Sequence, residues 1–311
     1  MSKKVLVIGS SVMTLTANLY KIPAEGEEIY DDGGVAYTPD GKGTNAAIAF
    51  KNLGGDPILM TKLGRDSHGQ RLFGFFKEIG LDTSLVKVDS AESTGFSMVL
   101  RVRGEENRTV RYLGASEHIS AENALEAFAE EPDALYLGTE FAFDAVVAAA
   151  KMASARGLPI FLDASSLDAS DSLEALPPME IFSLDAETAY RITGVRPEGA
   201  DSALRASLLI SRRVNTKYLL LRLGERGAFI YDGRYHSMTP SFPIQKLVDR
   251  SAEGDAFFAA LALEYLETDD LKWSSRFASA VGAMTASSAG AAVSIPEREE
   301  VMRFIERHKT I

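Results

Sequence analysis

The sequence predicts an α/β fold in which helices cover both faces of a mostly parallel sheet, with a small second sheet beside it. Three observations predict this. Runs such as Val5–Ile8 and Ala134–Leu137 are continuously apolar, as strands buried on both faces are. From Ala121 onward such runs alternate with helical patterns, the spacing of parallel βα units. By contrast, Phe96–Val102 and Thr109–Tyr112 alternate apolar with polar residues, as one-sided antiparallel strands do.

In order, Val5–Ile8 is a buried first strand ending at Gly9-Ser10. Thr16–Tyr37 scatters its apolar residues among Pro23, Gly26, Gly33 and Gly34, which predicts an exposed hairpin. Gly43–Leu53 is a helix closed by Gly54-Gly55, Pro57–Leu63 a strand, and Ser67–Ile79 an amphipathic helix. The alternating strands at 96–112 turn at Gly104–Asn107 and pair with the hairpin in the small sheet. A helix from Ala121, strand Ala134–Leu137, helix Phe143–Ala155 and strands Pro159–Leu162 and Ile181–Leu184 follow. Helices Ala186–Thr193 and Ala200–Arg213 lead to strand Tyr218–Leu223. Ala228–Tyr231 and Tyr235–Met238 form an edge hairpin around Asp232-Gly233-Arg234. Helices Asp255–Leu266, Ser274–Ser288 and Glu297–Glu306 close the chain. No repeat, low-complexity tract or linker divides residues 1–311, which read as a single domain.

Composition narrows the function. The net charge is −11 and basic residues are scattered, so no face suits a phosphate backbone and nucleic acid is excluded as a partner. The chain has no cysteine, which removes disulfides, thiolate nucleophiles and Cys-ligated metals and fits a reducing compartment. No apolar run approaches the ~18 residues that span a bilayer, so no membrane partner is expected. The first apolar run is also shorter than the ~7 residues of a signal-peptide core, which places the protein in the cytoplasm.

The stretch Val248–Leu261 carries the chemistry: a turn of small residues, Ser251-Ala252-Glu253-Gly254, runs into an apolar helix. The first N–H groups of a helix lack intrahelical partners and carry partial positive charge, so such a turn can hold a phosphate. Asp255 at its mouth can take a proton from an attacking hydroxyl. The same residue also serves as a plain helix cap. Gly9, Gly138, Asp163, Asp185, Gly224 and the 249–255 turn all fall at strand ends, where ligands of open α/β sheets bind.

Four motifs then stand in order: Asp40-Gly41-Lys42-Gly43-Thr44-Asn45 before an Ala-rich helix, Leu221-Arg222-Leu223-Gly224-Glu225-Arg226-Gly227-Ala228, Asp249–Asp255, and Ser287–Ala291 with Ile295-Pro296. In these the chain resembles the ribokinase-like (PfkB) sugar kinases over essentially its whole length. The resemblance implies a three-layer α/β sandwich with a β-sheet lid built from about 12–38 and 94–114. It implies transfer of the ATP γ-phosphate to a sugar hydroxymethyl group, with Asp255 as base and the backbone of Ala252, Glu253 and Gly254 stabilising the transferred phosphate. Gly41, Lys42, Asn45, Glu140 and the residue at Thr14 would hold the sugar or nucleoside-like substrate. Asp185, Arg222, Gly224, Gly227 and Ser287 would face the nucleotide. Asp185 would position Mg²⁺ through water, and Asp249 would sit beside a monovalent cation such as K⁺. It also implies a homodimer formed lid to lid.

Several positions depart from the family pattern. Thr14 stands where an Asp pairs with two sugar hydroxyls, and one hydroxyl cannot match a carboxylate. The Asn-x-x-Glu that positions Mg²⁺ reads Asp185-Ala186-Glu187-Thr188, and Glu187 is offset by about 100° around the helix. Glu253 replaces a small residue in the anion hole, where a carboxylate about 5 Å from one phosphate charge is unfavourable by about 3 kcal/mol, a sign that a shared Mg²⁺ would reverse. Arg222 and Arg250 replace small hydroxyl residues and either substitute for lost positive charge or fill the phosphate site. Two functions follow: an ATP-dependent sugar kinase with a rearranged site, or a sugar- or nucleotide-binding protein on the same fold with impaired catalysis. A nicotinamide-dependent enzyme is excluded, because no G-x-G-x-x-G follows the first strand.

Overall fold

The computed structural model describes residues 2–30, 32–102, 107–244 and 246–308. In chain order the elements are β1 (Lys4–Ile8), β2 (Val12–Leu19), β3 (Val35–Asp40), α1 (Lys42–Asn52), β4 (Asp56–Gly64), α2 (Ser67–Glu78), β5 (Val86–Asp89), β6 (Thr94–Val102) and β7 (Arg108–Gly114). Then come α3 (Ala121–Glu126), β8 (Ala134–Leu137), α4 (Phe143–Ala155), β9 (Ile160–Asp163), β10 (Met179–Asp185), α5 (Ala186–Thr193) and α6 (Ala200–Ile210). The chain ends with β11 (Thr216–Arg222), β12 (Ala228–Tyr231), β13 (His236–Thr239), α7 (Glu253–Thr268), α8 (Leu271–Ala286) and α9 (Arg298–Arg307). Among the described residues no helix is long and apolar enough to cross a membrane.

Nine strands form one sheet in the order β13-β12-β11-β10-β9-β8-β1-β4-β5, parallel except for the β12–β13 hairpin at one edge. Side chains alternate between two cores, as the two-residue period requires. Val5, Val7, Tyr136, Phe161 and Leu220 pack with α1, α7 and α8, while Leu6, Ile8, Leu137, Leu162 and Leu221 pack with α4 and α6. This is the three-layer sandwich. The strand order reverses at β1, which lies between β4 and β8, so the cleft beyond its carboxyl end is the topological place for a ligand.

The second sheet has the order β3-β2-β6-β7 and supplies the lid. Its two faces differ. One cross-strand row is Thr38, Thr14, Ser97 and Arg111, and the next row, on the opposite face, is Tyr37, Leu15, Met98 and Val110. The polar row faces the large sheet. Tyr37, Met98 and Val110 of the apolar row are 49%, 40% and 75% exposed.

Two expectations need correction. The lid's first strand begins at Val12, within the expected lid segment 12–38, but Thr16, at the start of the hairpin expected to be exposed, is buried along with Val12, Met13 and Thr14. β5 was not predicted, because Lys87 and Asp89 interrupt its apolar residues as suits an edge strand. The predicted turn at 104–107 lies largely outside the described residues.

One joint sets the site's geometry. Gly9, after β1, lies against Gly43 in the first turn of α1: a Cβ on Gly43 would fall 2.5 Å from the Gly9 carbonyl carbon. Gly41 caps α1 at φ 106°, where a Cβ would meet the Ser10 carbonyl oxygen at 2.6 Å. These contacts require glycine and bring the start of α1 onto the end of β1.

Candidate active site

Asp255 lies in the first turn of α7 but does not cap it. The cap is Ala252, without a side-chain hydrogen bond, and the Asp255 carboxylate turns toward α1 instead. Its Oδ1 is 3.2 Å from Lys42 Nζ, and its Oδ2 accepts a 2.8 Å hydrogen bond from Asn45 Nδ2. Lys42 and Asn45 sit three residues apart on α1, so one helical face presents both. The plain-cap reading therefore falls away.

Lys42 Nζ is also 3.4 Å from Asp163 Oδ2, at the carboxyl end of β9. Burial opposes the lysine's charge, but Asp163 and Asp255 outweigh it and hold the ammonium above its ordinary pKa. Asp163 is buried too. It is gripped by Arg222 through Nη2–Oδ1 at 2.9 Å and Nη1–Oδ2 at 3.3 Å. Burial pushes its carboxyl up, yet Arg222 and then Lys42 keep it well below the usual carboxylate range. Arg222 Nη1 also donates to the Gly254 carbonyl at 2.7 Å, which ties β11 to the turn that opens α7.

On the lid side lies a carboxylate that the sequence reading passed over. Asp40 at the end of β3 is fully buried; its Oδ2 accepts from Thr14 Oγ1 at 2.8 Å and from Arg111 at 3.0 Å. Its Oδ1 accepts from Asn45 at 2.8 Å, linking it to Asp255 through one amide. Thr14 thus lacks a carboxylate but binds one. The signal was available: Asp40 occupies the first position of a motif that elsewhere begins with Gly, and its register partner on β2 is Val12, two residues from Thr14 on the same face.

Glu140 follows β8 and accepts a 2.7 Å hydrogen bond from Ser10 Oγ, across the reversal point of the large sheet. Burial raises its pKa, against the pull of Lys42 and Ser10. Glu140 Oε2 and Asn45 Oδ1 are buried without hydrogen-bond partners among the described residues. Unpaired buried acceptors are unfavourable, so each of these two oxygens has a vacant place for a donor.

Beyond Asp255 opens a cleft of about 600 Å³ lined by Arg222, Gly224, Gly227, Asp185 and Glu253, with Phe242 and Phe257 as apolar walls. Asp185 caps α5 by accepting from Thr188 N–H at 2.6 Å. Glu187 is turned out and pairs with Arg196 at 2.9 Å, while Thr188 Oγ1 donates to the Ser165 carbonyl. The one-residue offset therefore takes Glu187 away from the cleft. Glu253 pairs with Arg250 at 2.9 Å, and Arg250 also reaches Glu225. Burial raises the Glu253 pKa and Arg250 opposes it. The Glu253 N–H donates to the Arg250 carbonyl at 3.2 Å, so this amide is already used within the turn.

Two expected residues stand apart from this cluster. Ser287 ends α8, exposed, with its Oγ donating to the Ala283 carbonyl at 2.8 Å; Gly282 and Ala283 of the preceding turn line the cleft in its place. Asp249 is bound by Ser251 and by Arg101 from lid strand β6, at 2.9 Å. Among the described residues no three metal-ligating side chains cluster.

Residues 2–298 match the pfkB family carbohydrate kinases. The chain is similar to the ribokinase of Haemophilus influenzae, 29% identical over 270 residues that cover 86% of this chain and 87% of that one. It is also 29% identical to fructokinase-1 of Zea mays over 287 residues, covering 86% and 88% of the two chains. The structure of Arabidopsis thaliana ribokinase complexed with ribose and ATP superimposes with a TM-score of 0.83 at 23% identity, over 98% of this chain and 99% of that one, so the fold is shared. Because the match runs through every element that carries the cluster, the chain belongs to the pfkB family and is a carbohydrate kinase.

Proposed function

We propose that the protein transfers the γ-phosphate of ATP to a hydroxymethyl group of a sugar or sugar-like substrate, with Asp255 as the general base. One observation carries this reading. The Asp255 carboxylate lines the cleft of about 600 Å³ and is held on its other side by Asn45, whose Oδ1 is buried without a partner among the described residues. A hydroxyl that donates to Asn45 Oδ1 would lie beside the base, and the phosphate chain of a nucleotide fits the cleft.

In this mechanism Asn45 and Lys42 fix the Asp255 carboxylate, which accepts the hydroxyl proton as the phosphate bond forms. The sugar hydroxyls lie on Asn45, Glu140, the Gly41 backbone and the Thr14–Asp40 pair. The turn at 252–255 and the start of α7 face the transferred phosphate. Arg222 adds positive charge beneath that turn, where it holds the Gly254 carbonyl. Mg²⁺ typically binds one or two carboxylates plus substrate phosphates and water. Asp185 and Glu253 line the cleft and fit that role, and the ion would neutralise charge on the phosphates. The exposed apolar row of the lid, with Tyr37, Met98 and Val110, suits a second copy of the chain and a lid-to-lid dimer.

The alternative, a binding protein with impaired catalysis, is favoured by Glu253 in the first turn of α7 and by Thr188 locked onto Ser165. Turnover separates the two. A screen of pentoses, hexoses and nucleosides with Mg·ATP, followed by ADP release, is expected to find an acceptor. Mg·ADP affinity by calorimetry with no turnover on any acceptor would favour the binding protein.

A further inference from the structure

The family resemblance implies a monovalent cation at Asp249, and the residues present do not fit one. Asp249 Oδ1 accepts from both the Ser251 N–H at 3.0 Å and the Ser251 hydroxyl at 2.6 Å. Its Oδ2 accepts from the Gly290 N–H at 3.4 Å and lies 2.9 Å from Nη2 of Arg101. The two side chains are only 20% and 4% exposed, so the charges meet largely out of water. Among the described residues every group directed at the carboxylate is a donor. An alkali ion would have to displace the guanidinium or approach it closely, and like charges in so dry a place repel strongly.

We propose that Arg101 is a built-in cation: the guanidinium on lid strand β6 takes the electrostatic place of a diffusible monovalent ion at Asp249, so the turn that opens α7 is ordered without potassium. Among the described residues, Arg222 and Arg250 near that turn are committed to other carboxylates, Arg222 to Asp163 and Arg250 to Glu225 and Glu253. Burial pushes the Asp249 carboxyl up, but the Ser251 hydrogen bonds and Arg101 hold it below its ordinary pKa, so the partner of Arg101 is the anion. Neutralising Asp249 matters because its carboxylate begins the loop that meets phosphate six residues later. An ion fills its site according to its concentration, whereas a side chain is always present. Because β6 belongs to the lid, the guanidinium also ties the small sheet to the phosphate turn.

The consequence for nucleotide binding rests on the kinase reading above, whereas the ion pair does not, and the test separates them. Melting temperature and Mg·ADP affinity are measured in KCl, NaCl and tetramethylammonium chloride at matched ionic strength. Wild-type protein is expected to show the same melting temperature in all three salts and affinities within about twofold. A rise in melting temperature or an affinity gain specific to potassium overturns the proposal. Arg101→Gln is expected to lose affinity about tenfold or more in tetramethylammonium chloride and to recover it with KCl or dilute guanidinium ion. Arg101→Lys, which keeps the charge, is expected to behave as wild type. An Arg101→Gln protein with wild-type affinity in every salt, or with a loss that neither cation restores, overturns the proposal. If Arg101→Gln does not fold, the wild-type salt series still decides. If Mg·ADP binds in no salt, the kinase reading fails, and the melting temperatures alone decide for Arg101.

Discussion

The two sheets place charge by opposite rules. In the nine-stranded sheet the central strands β1, β8 and β9 are buried on both faces, and the charged residues of the candidate site, Asp163, Asp185 and Arg222, sit where β9, β10 and β11 end. In the lid only one face is apolar, so a charged side chain can also stand within a strand: Arg111 is in the middle of β7 and Arg101 one residue before the end of β6, while Asp40 ends β3. The large sheet thus fixes the charges of the candidate site at strand ends. The lid brings adjustable polar groups over them. The difference teaches where variation is tolerated: a change at a strand end of the large sheet disturbs the chemistry, and a change on the lid's inner face disturbs what is accepted.

This contrast can be broken deliberately. The largest effect is expected at Asp255. Asp255→Asn should lower turnover by about 10²–10⁴-fold while Mg·ADP affinity stays within about twofold; ADP release at the wild-type rate would remove Asp255 as the base. Next is Asp163→Asn, which leaves Lys42 and Arg222 buried without their shared anion and should destabilise the fold by about 3–5 kcal/mol in urea. Asp163 has a depressed pKa, so its contribution is complete above the ordinary carboxylate pKa and is lost as pH falls through the depressed value. The gap between wild type and Asp163→Asn should therefore narrow only in strong acid, and a gap that closes near neutrality would contradict the buried pair.

On the lid the expected effects are smaller and of another kind. Asp40→Asn weakens the hold on Thr14 and Arg111, and should raise the KM for the acceptor about tenfold with little change in nucleotide affinity. Equal losses toward sugar and nucleotide would show that Asp40 supports the whole site rather than the acceptor. The smallest effect on the fold is expected from Met98→Glu on the outer row. It should shift a dimer toward monomer in sedimentation while stability changes by no more than about 0.5 kcal/mol. An unchanged sedimentation coefficient would remove this face as a contact between two copies of the chain.

Legibility followed the same division. β1, β8, β10 and β11 were readable because two-sided burial writes a continuous apolar run into the sequence. Lys42, Asn45 and Asp255 were readable because each lies within a compact motif beside a helix start. Asp40, Arg101 and Arg111 were not, because each acts across strands that the sequence separates widely; Arg111 and Asp40 are 71 residues apart. The positive charge sought near the phosphate turn was assigned to Arg222 or Arg250, its sequence neighbours by motif, and the residue at Asp249 is Arg101. The helical offset of Glu187, by contrast, was a local matter, and its pairing with Arg196 follows from it.

The back-to-back contact of Gly9 and Gly43 has a consequence for how such a protein can change. It seats Lys42 and Asn45 by backbone against backbone, without help from the chain between β2 and β3. Residues 20–30 can therefore be lengthened, shortened or exchanged while the spacing from β1 to Lys42 and Asn45 is preserved. Selection, or a designer, has a largely exposed segment between two lid strands and a joint that forbids even one added methyl group. Substrate range can drift in such an arrangement while the phosphoryl-transfer geometry is inherited unchanged.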